Sequence, residues 1–155
     1  MADHGPAVRR IVASYAGPRT DQEDLAQDVA IAIWQAMPGF RGEASPRTFL
    51  FRIAHYRGVT HLARRKPAPP CSEQIEIADG APGPEVQASD RQEVARLFVA
   101  LRALPVPQRQ VLTLALEGLS HKEIGECLGT SPENVAVRLN RARAALRTSM
   151  EERHG

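Results

Sequence analysis

The sequence predicts an all-α protein: two small helical domains, residues 1–66 and 91–155, joined by a flexible linker at 67–90. Apolar residues recur at helical spacing throughout both flanks, and no segment shows sustained strand alternation. Cap residues and Gly/Pro stops punctuate these runs at helical lengths. The intervening PAPPCSEQIEIADGAPGPEVQASD holds five prolines and no basic residue, the composition of an extended, flexible connector.

In the N-terminal block, Val8, Ile11, Val12 and Tyr15 follow helical spacing until Gly17-Pro18 stops it. Thr20 is expected to cap a second helix, with Glu23 at the capping-box position and Leu25, Val29 and Ile33 as its core stripe. Trp34 is expected within the helical core. Pro38-Gly39 ends that helix, and the loop Phe40–Ser45 leads to Ser45-Pro46, a cap followed by proline at the first helical position. The third helix should turn Phe49, Leu50, Ile53 and Ala54 inward. It ends in Arg64-Arg65-Lys66, three cations that suit a helix C-terminus or a phosphate backbone. Gly58 should weaken its middle by up to about 1 kcal/mol relative to alanine.

The C-terminal block carries the most informative stretch, SHKEIGECLGTSPENVAVRLNRARAALR at 120–147. Ser120 with Glu123 makes a capping box, Gly129 suits the left-handed residue that ends a helix, and Ser131-Pro132 starts the next. Gly125 should let the two helices approach closely, with Val135 packing back between them. The pattern is a helix-turn-helix, whose second helix enters the DNA major groove. On that helix Val135, Leu139, Ala142 and Leu146 form the core stripe. Asn134, Val137, Arg138 and Arg141 lie on another arc, with Asn140, Arg143 and Arg147 further round. No acidic residue occurs from Val135 to Met150. Arginine pairs with guanine edges, asparagine with adenine, and an exposed valine meets the thymine methyl.

Composition agrees. The chain has 155 residues, 43% hydrophobic, 25% charged and only 5% aromatic, which suits small helical modules. Its net charge of +2 hides an asymmetry: residues 1–66 carry ten basic and six acidic side chains, 67–90 none and five, and 91–155 ten and seven. Two basic blocks therefore flank an acidic strip, and each block can touch nucleic acid. Cys71 and Cys127 have no CxxC partner, so neither zinc nor a disulfide framework is indicated. Cys127 is a small core residue and Cys71 an exposed thiol. No apolar run reaches the roughly 20 residues of a membrane span, and no signal peptide is visible, so a cytoplasmic location is expected. The five histidines form no pair at i, i+4 spacing, and no nucleophile constellation or phosphate-cradling glycine loop is present. No catalytic residue, cofactor or metal is expected.

These motifs resemble the sigma-70 family of bacterial RNA polymerase sigma factors, in its extracytoplasmic-function (ECF) group. Asp21-Gln22-Glu23-Asp24-Leu25-Ala26-Gln27-Asp28-Val29, then Ile33-Trp34, is similar to the family's region 2 signature, an acidic helix start followed by DL-x-Q-D/E-V. Phe49-Leu50-Phe51-Arg52-Ile53-Ala54-His55 resembles its W-L-y-r-I-A-r stretch. Ala100–Pro105 and Arg109–Leu112 resemble the entry to region 4, and Leu119–Gly125, Val135 and Arg141–Arg147 its helix-turn-helix.

The resemblance implies a division of labour. Region 4 reads the −35 promoter element as duplex, a role carried here to Asn134, Val137, Arg138 and Arg141, with Ser131 and Arg143 near the backbone. Region 2 melts the −10 element and captures a flipped base, which places Phe40 and Arg41 in the specificity loop. The following helix presents Arg47, Tyr56, Arg57, His61, Arg64 and Arg65. Asp24, Gln27, Asp28 and Ile31 correspond to the face that docks on the β′ clamp of core RNA polymerase. Implied partners are core polymerase (β′ clamp and β flap), promoter DNA and an anti-sigma factor, with no membrane insertion. The sequence departs from the family pattern at Tyr56, Thr60 and Ala63, where asparagine, aspartate and arginine are usual. Two other readings stay open: a sigma-like decoy that binds an anti-sigma factor, and a plain helix-turn-helix regulator.

Overall fold

The computed structural model describes residues 4–64 and 88–154. Its α-helices are α1 (Gly5–Ala13), α2 (Arg19–Ala36), α3 (Pro46–Arg64), α4 (Ala88–Ala103), α5 (Val106–Leu116), α6 (His121–Leu128) and α7 (Pro132–His154), with a 3₁₀ turn at Met37–Gly39. No strand occurs among the described residues. The helices form two compact units, α1–α3 and α4–α7. The segment 65–87, which includes Arg65, Cys71 and most of the expected linker, lies outside the described residues.

In the N-terminal unit α3 packs against both α1 and α2. The stripe Leu25, Val29 and Ile33 of α2 is buried as expected, together with Ile11 and Val12 of α1. Because α3 has neighbours on two sides, its buried arc is wider than the sequence pattern implied. Leu50, Phe51, Ala54, His55 and Gly58 are buried, whereas Phe49 and Ile53 are only half-buried. Ser45 caps α3: its Oγ accepts from the Thr48 N–H at 3.1 Å.

Three expectations are corrected here. Thr20 is not a cap but lies inside α2, which begins at Arg19 with extended Pro18 at the N-cap position, two residues before the expected cap. Glu23 then lies one turn beyond Arg19 and accepts from its Nε at 3.3 Å instead of closing a capping box. Trp34 is not in the core but 78% exposed. It follows Ile33, which completes the buried stripe, so it is rotated about 100° out of the interface. Gly58 is more than a weak point: a Cβ there would fall on the Tyr15 ring. Tyr15 itself is buried, and its hydroxyl lies 2.7 Å from His55 Nδ1. The missing side chain thus lets the turn after α1 dock directly onto α3.

In the C-terminal unit α7 contacts α4, α5 and α6. Val135, Leu139 and Ala142 are buried, while Leu146 is half-buried where the helix runs toward the edge of the unit. The guanidinium of buried Arg109 reaches back to the end of α4, where Nη2 donates to the carbonyls of Arg102 (2.7 Å) and Leu104 (3.0 Å). Those late helical carbonyls have no intrahelical partner, so the contact fixes the α4–α5 corner.

Candidate nucleic-acid interface

The turn chemistry of α6 and α7 forms as the sequence predicts. Ser120 Oγ accepts from the Glu123 N–H at 3.1 Å, and Glu123 Oε1 accepts from the Ser120 N–H at 3.0 Å. Gly129 ends α6 with φ +73°, and its N–H donates to the Gly125 carbonyl at 2.8 Å. Ser131 Oγ accepts from the Asn134 N–H at 3.2 Å and so caps α7. Gly125 works differently from the expectation. A Cβ there would meet the Thr130 carbonyl at 2.5 Å, so its smallness admits the backbone of the turn rather than the opposing helix. Cys127 and Val135 are buried behind this turn.

With Val135 and Leu139 facing inward, the rest of α7 is positioned by the helical period. Asn134, Arg141 and Arg143 are exposed, Val137 is 48% exposed, and Arg138 is half-buried. The Asn134 amide also donates to Thr130 Oγ1 at 3.3 Å. Val137, in the second turn of this basic, N-capped helix, leaves about half of its surface to solvent.

The second candidate surface lies on the N-terminal unit. Phe40 and Phe49 stack with ring centroids 4.7 Å apart, and Gly39, Arg41, Glu43, Ala44 and Arg52 complete the lining of a hollow of about 380 Å³. Phe40 therefore serves both as a packing contact and as a wall of an open site. Beyond it on α3, Tyr56 is 68% exposed, Arg64 is exposed, and Arg47 and Arg57 are half-buried. His61 is half-buried with its Nε2 closed off from solvent. Arg65 lies outside the described residues. Sequence reasoning missed Arg52 here; its signal was its place at i+3 from Phe49 on the exposed arc.

On α2, Asp24, Gln27, Asp28 and Ile31 are all exposed and share one face by their i, i+3, i+4, i+7 spacing. Trp34 continues that face at i+3 from Ile31, so an acidic patch runs into a patch of exposed apolar surface. Met37, in the 3₁₀ turn, is 50% exposed. No group of three or more potential metal ligands occurs among the described residues, and no described helix is long and apolar enough to cross a membrane.

A capped helix-turn-helix in one unit, and in the other a basic helix with an open aromatic hollow, define a two-unit, helix-turn-helix DNA-binding protein. Comparison with known proteins specifies the family. Residues 1–67 match the model of sigma-70 region 2, and residues 95–146 match that of sigma-70 region 4. The chain is 35% identical to the RNA polymerase sigma factor NccH of Alcaligenes xylosoxydans xylosoxydans, across 92% of this chain and 80% of that protein. It is 36% identical to the ECF RNA polymerase sigma factor ShbA of Streptomyces griseus subsp. griseus, across 84% and 72%. Among solved structures, CnrH in complex with the cytosolic domain of CnrY superposes with a TM-score of 0.71 at 29% identity, covering 97% of this chain and 84% of that one. The fold is also that of the sigma factor RpoE of Bartonella quintana, solved in complex with the anti-sigma factor NepR, with a TM-score of 0.71 at 18% identity. The chain belongs to the sigma-70 family of RNA polymerase sigma factors, among the ECF members.

Proposed function

We propose that this protein is a working ECF sigma factor, which binds core RNA polymerase, recognises −35 and −10 promoter elements and starts transcription. The observation that carries the reading is a helix-turn-helix in which α6 and α7 are each N-capped, with the apolar side of α7 buried and Asn134, Val137 and Arg141 left exposed. Arg138 flanks that reading surface, and Ser131 and Arg143 lie toward the phosphates. Residues 91–155 then form the −35 domain and residues 1–66 the −10 and polymerase domain. The Phe40–Phe49 hollow receives a base extruded from the −10 element. Arg41, Arg47, Tyr56, Arg57, His61, Arg64 and Arg65 belong to the strand-binding surface that follows it. Extrusion costs a few kcal/mol per base, which stacking in a shaped site and a basic groove offset.

Core polymerase docks through its β′ clamp on Asp24, Gln27, Asp28 and Ile31, extended by Trp34, while its β flap meets the C-terminal unit. The polymerase supplies the catalysis, and this chain supplies recognition and strand opening in the cytoplasm without cofactor or metal. Relatives of this fold are held by anti-sigma factors, and such a protein is the expected regulator here.

The deciding experiment is genome-wide run-off transcription with purified core polymerase, with and without this protein. New transcripts sharing paired elements near −35 and −10 are expected. Core binding without new transcripts would instead favour the decoy, and DNA binding without core binding a plain regulator.

A further inference from the structure

We propose that Thr130 is a positioning residue for −35 recognition, whose hydroxyl holds the Asn134 amide in the orientation that reads adenine. The inference rests on the initiation-factor reading above and gives the physical source of selectivity at one of its base-reading side chains.

Thr130 lies in the turn between α6 and α7, immediately before the Ser131 cap. Its backbone is held on both sides by Gly125. The Thr130 N–H donates to the Gly125 carbonyl at 3.0 Å, and the Thr130 carbonyl occupies the space that a Cβ on Gly125 would fill. Gly129 ends α6 and Ser131 caps α7, so the turn closes without the Thr130 hydroxyl. That hydroxyl instead meets a side chain one turn ahead, where Oγ1 accepts from Asn134 Nδ2 at 3.3 Å.

Asn134 is thereby held at two points. Its backbone N–H donates to Ser131 Oγ at 3.2 Å, and its side-chain amide donates to Thr130. An asparagine amide has two N–H donors and one acceptor oxygen. With one N–H engaged on Thr130, the second N–H and Oδ1 remain, one donor beside one acceptor. Adenine offers the matching pair in the major groove, an N7 acceptor and an N6 donor. Guanine offers two acceptors there, N7 and O6, which would leave Oδ1 without a partner. A freely rotating amide could present both N–H groups to guanine, and engaging one of them on Thr130 removes that option.

Order matters as much as orientation. Asn134 is exposed, and immobilising such a side chain during binding lowers affinity. A partner fixed by the backbone of the turn orders the amide before DNA arrives. Water competes for this exposed bond in the free chain. A base pair that covers it excludes the water and strengthens it.

The test uses the full chain reconstituted with core polymerase, on promoter duplexes randomised across the −35 element. Asn134→Ala identifies the base pair that Asn134 reads, as the position where adenine preference is lost. Thr130→Val replaces the hydroxyl by a methyl group and is expected to lower adenine preference there about fivefold. Preference at the other −35 positions and retention on core polymerase should match wild type, which also confirms that the variant is folded. Thr130→Ser should restore the adenine preference. In an Asn134→Ala background, Thr130→Val should change nothing further. Wild-type preference in Thr130→Val would overturn the proposal. A uniform loss across the element would do the same, as the mark of a distorted turn or a phosphate contact, and so would an equal loss in the Asn134→Ala background. If Asn134→Ala leaves every base preference unchanged, Asn134 does not read adenine and the Thr130 role fails, while run-off transcription still decides the initiation-factor reading separately.

Discussion

At Gly58, two opposing effects of one missing methyl group can be separated. Alanine would improve the intrinsic helix propensity of α3 by about 1 kcal/mol. Its Cβ would also fall on the Tyr15 ring, which is buried and hydrogen-bonded to His55, and so has little freedom to move. Overpacking of this kind costs about 1–3 kcal/mol, so Gly58→Ala should destabilise the N-terminal unit in denaturant titrations. A stabilised variant would show that the Tyr15 ring yields easily. His55 offers a second test. Burial pushes its pKa from 6.5 down to about 3, so the folded chain holds it neutral while the unfolded chain takes up a proton below pH 6.5. Stability attributable to this residue is therefore complete above pH 6.5 and lost as pH falls toward 3, at up to about 1.4 kcal/mol per pH unit. Unfolding free energies measured between pH 7 and 5 should fall more steeply for wild type than for His55→Gln. Equal slopes would mean that His55 is not held neutral in the fold.

The elements differ in how local their determinants are. In the α6–α7 pair the capping box, the left-handed Gly129 and the Ser131 cap each involve residues within a few positions of one another. Such contacts were legible before the fold was known. The functional consequence is a recognition helix anchored at its N-terminal end, where base-reading side chains need fixed positions. Arg138→Ala and Arg141→Ala should each weaken −35 binding by about 1–3 kcal/mol and change the preferred base at one position. Binding assays on a randomised −35 duplex would expose an error in this placement, since a phosphate contact would weaken all sequences alike. Helix α2 takes Pro18 rather than Thr20 as its N-cap residue for an equally local reason, the extended conformation of proline before Arg19. Two signals competed there within three residues, and periodicity could not choose between them.

Across the whole molecule, function depends on two helical units that carry different surfaces. The α2 face combines two carboxylates with exposed Ile31 and Trp34, a composition suited to a protein partner rather than to DNA. Trp34→Ala should weaken core-polymerase binding by about 2 kcal/mol with little change in thermal stability, as expected for an aromatic anchor that is 78% exposed in its own chain. Asp28→Lys should weaken the same binding while leaving −35 affinity of the C-terminal unit unchanged. Co-elution with core polymerase measures both, and wild-type retention of either variant would remove that residue from the interface.

By itself the sequence determined the all-α class, the order of the helices, the helix-turn-helix and the identity of its exposed arc. These follow from periodicity and from caps that act within one turn of chain. Tertiary structure alone decided which side of α3 is buried, because two helices converge on it and a single apolar stripe in the sequence could not register both. It also decided that Trp34 faces outward, that Gly58 receives the Tyr15 ring, and that Gly125 admits the Thr130 carbonyl. In each case the determining partner is a group outside the local turn, so its effect exists only once the elements have packed.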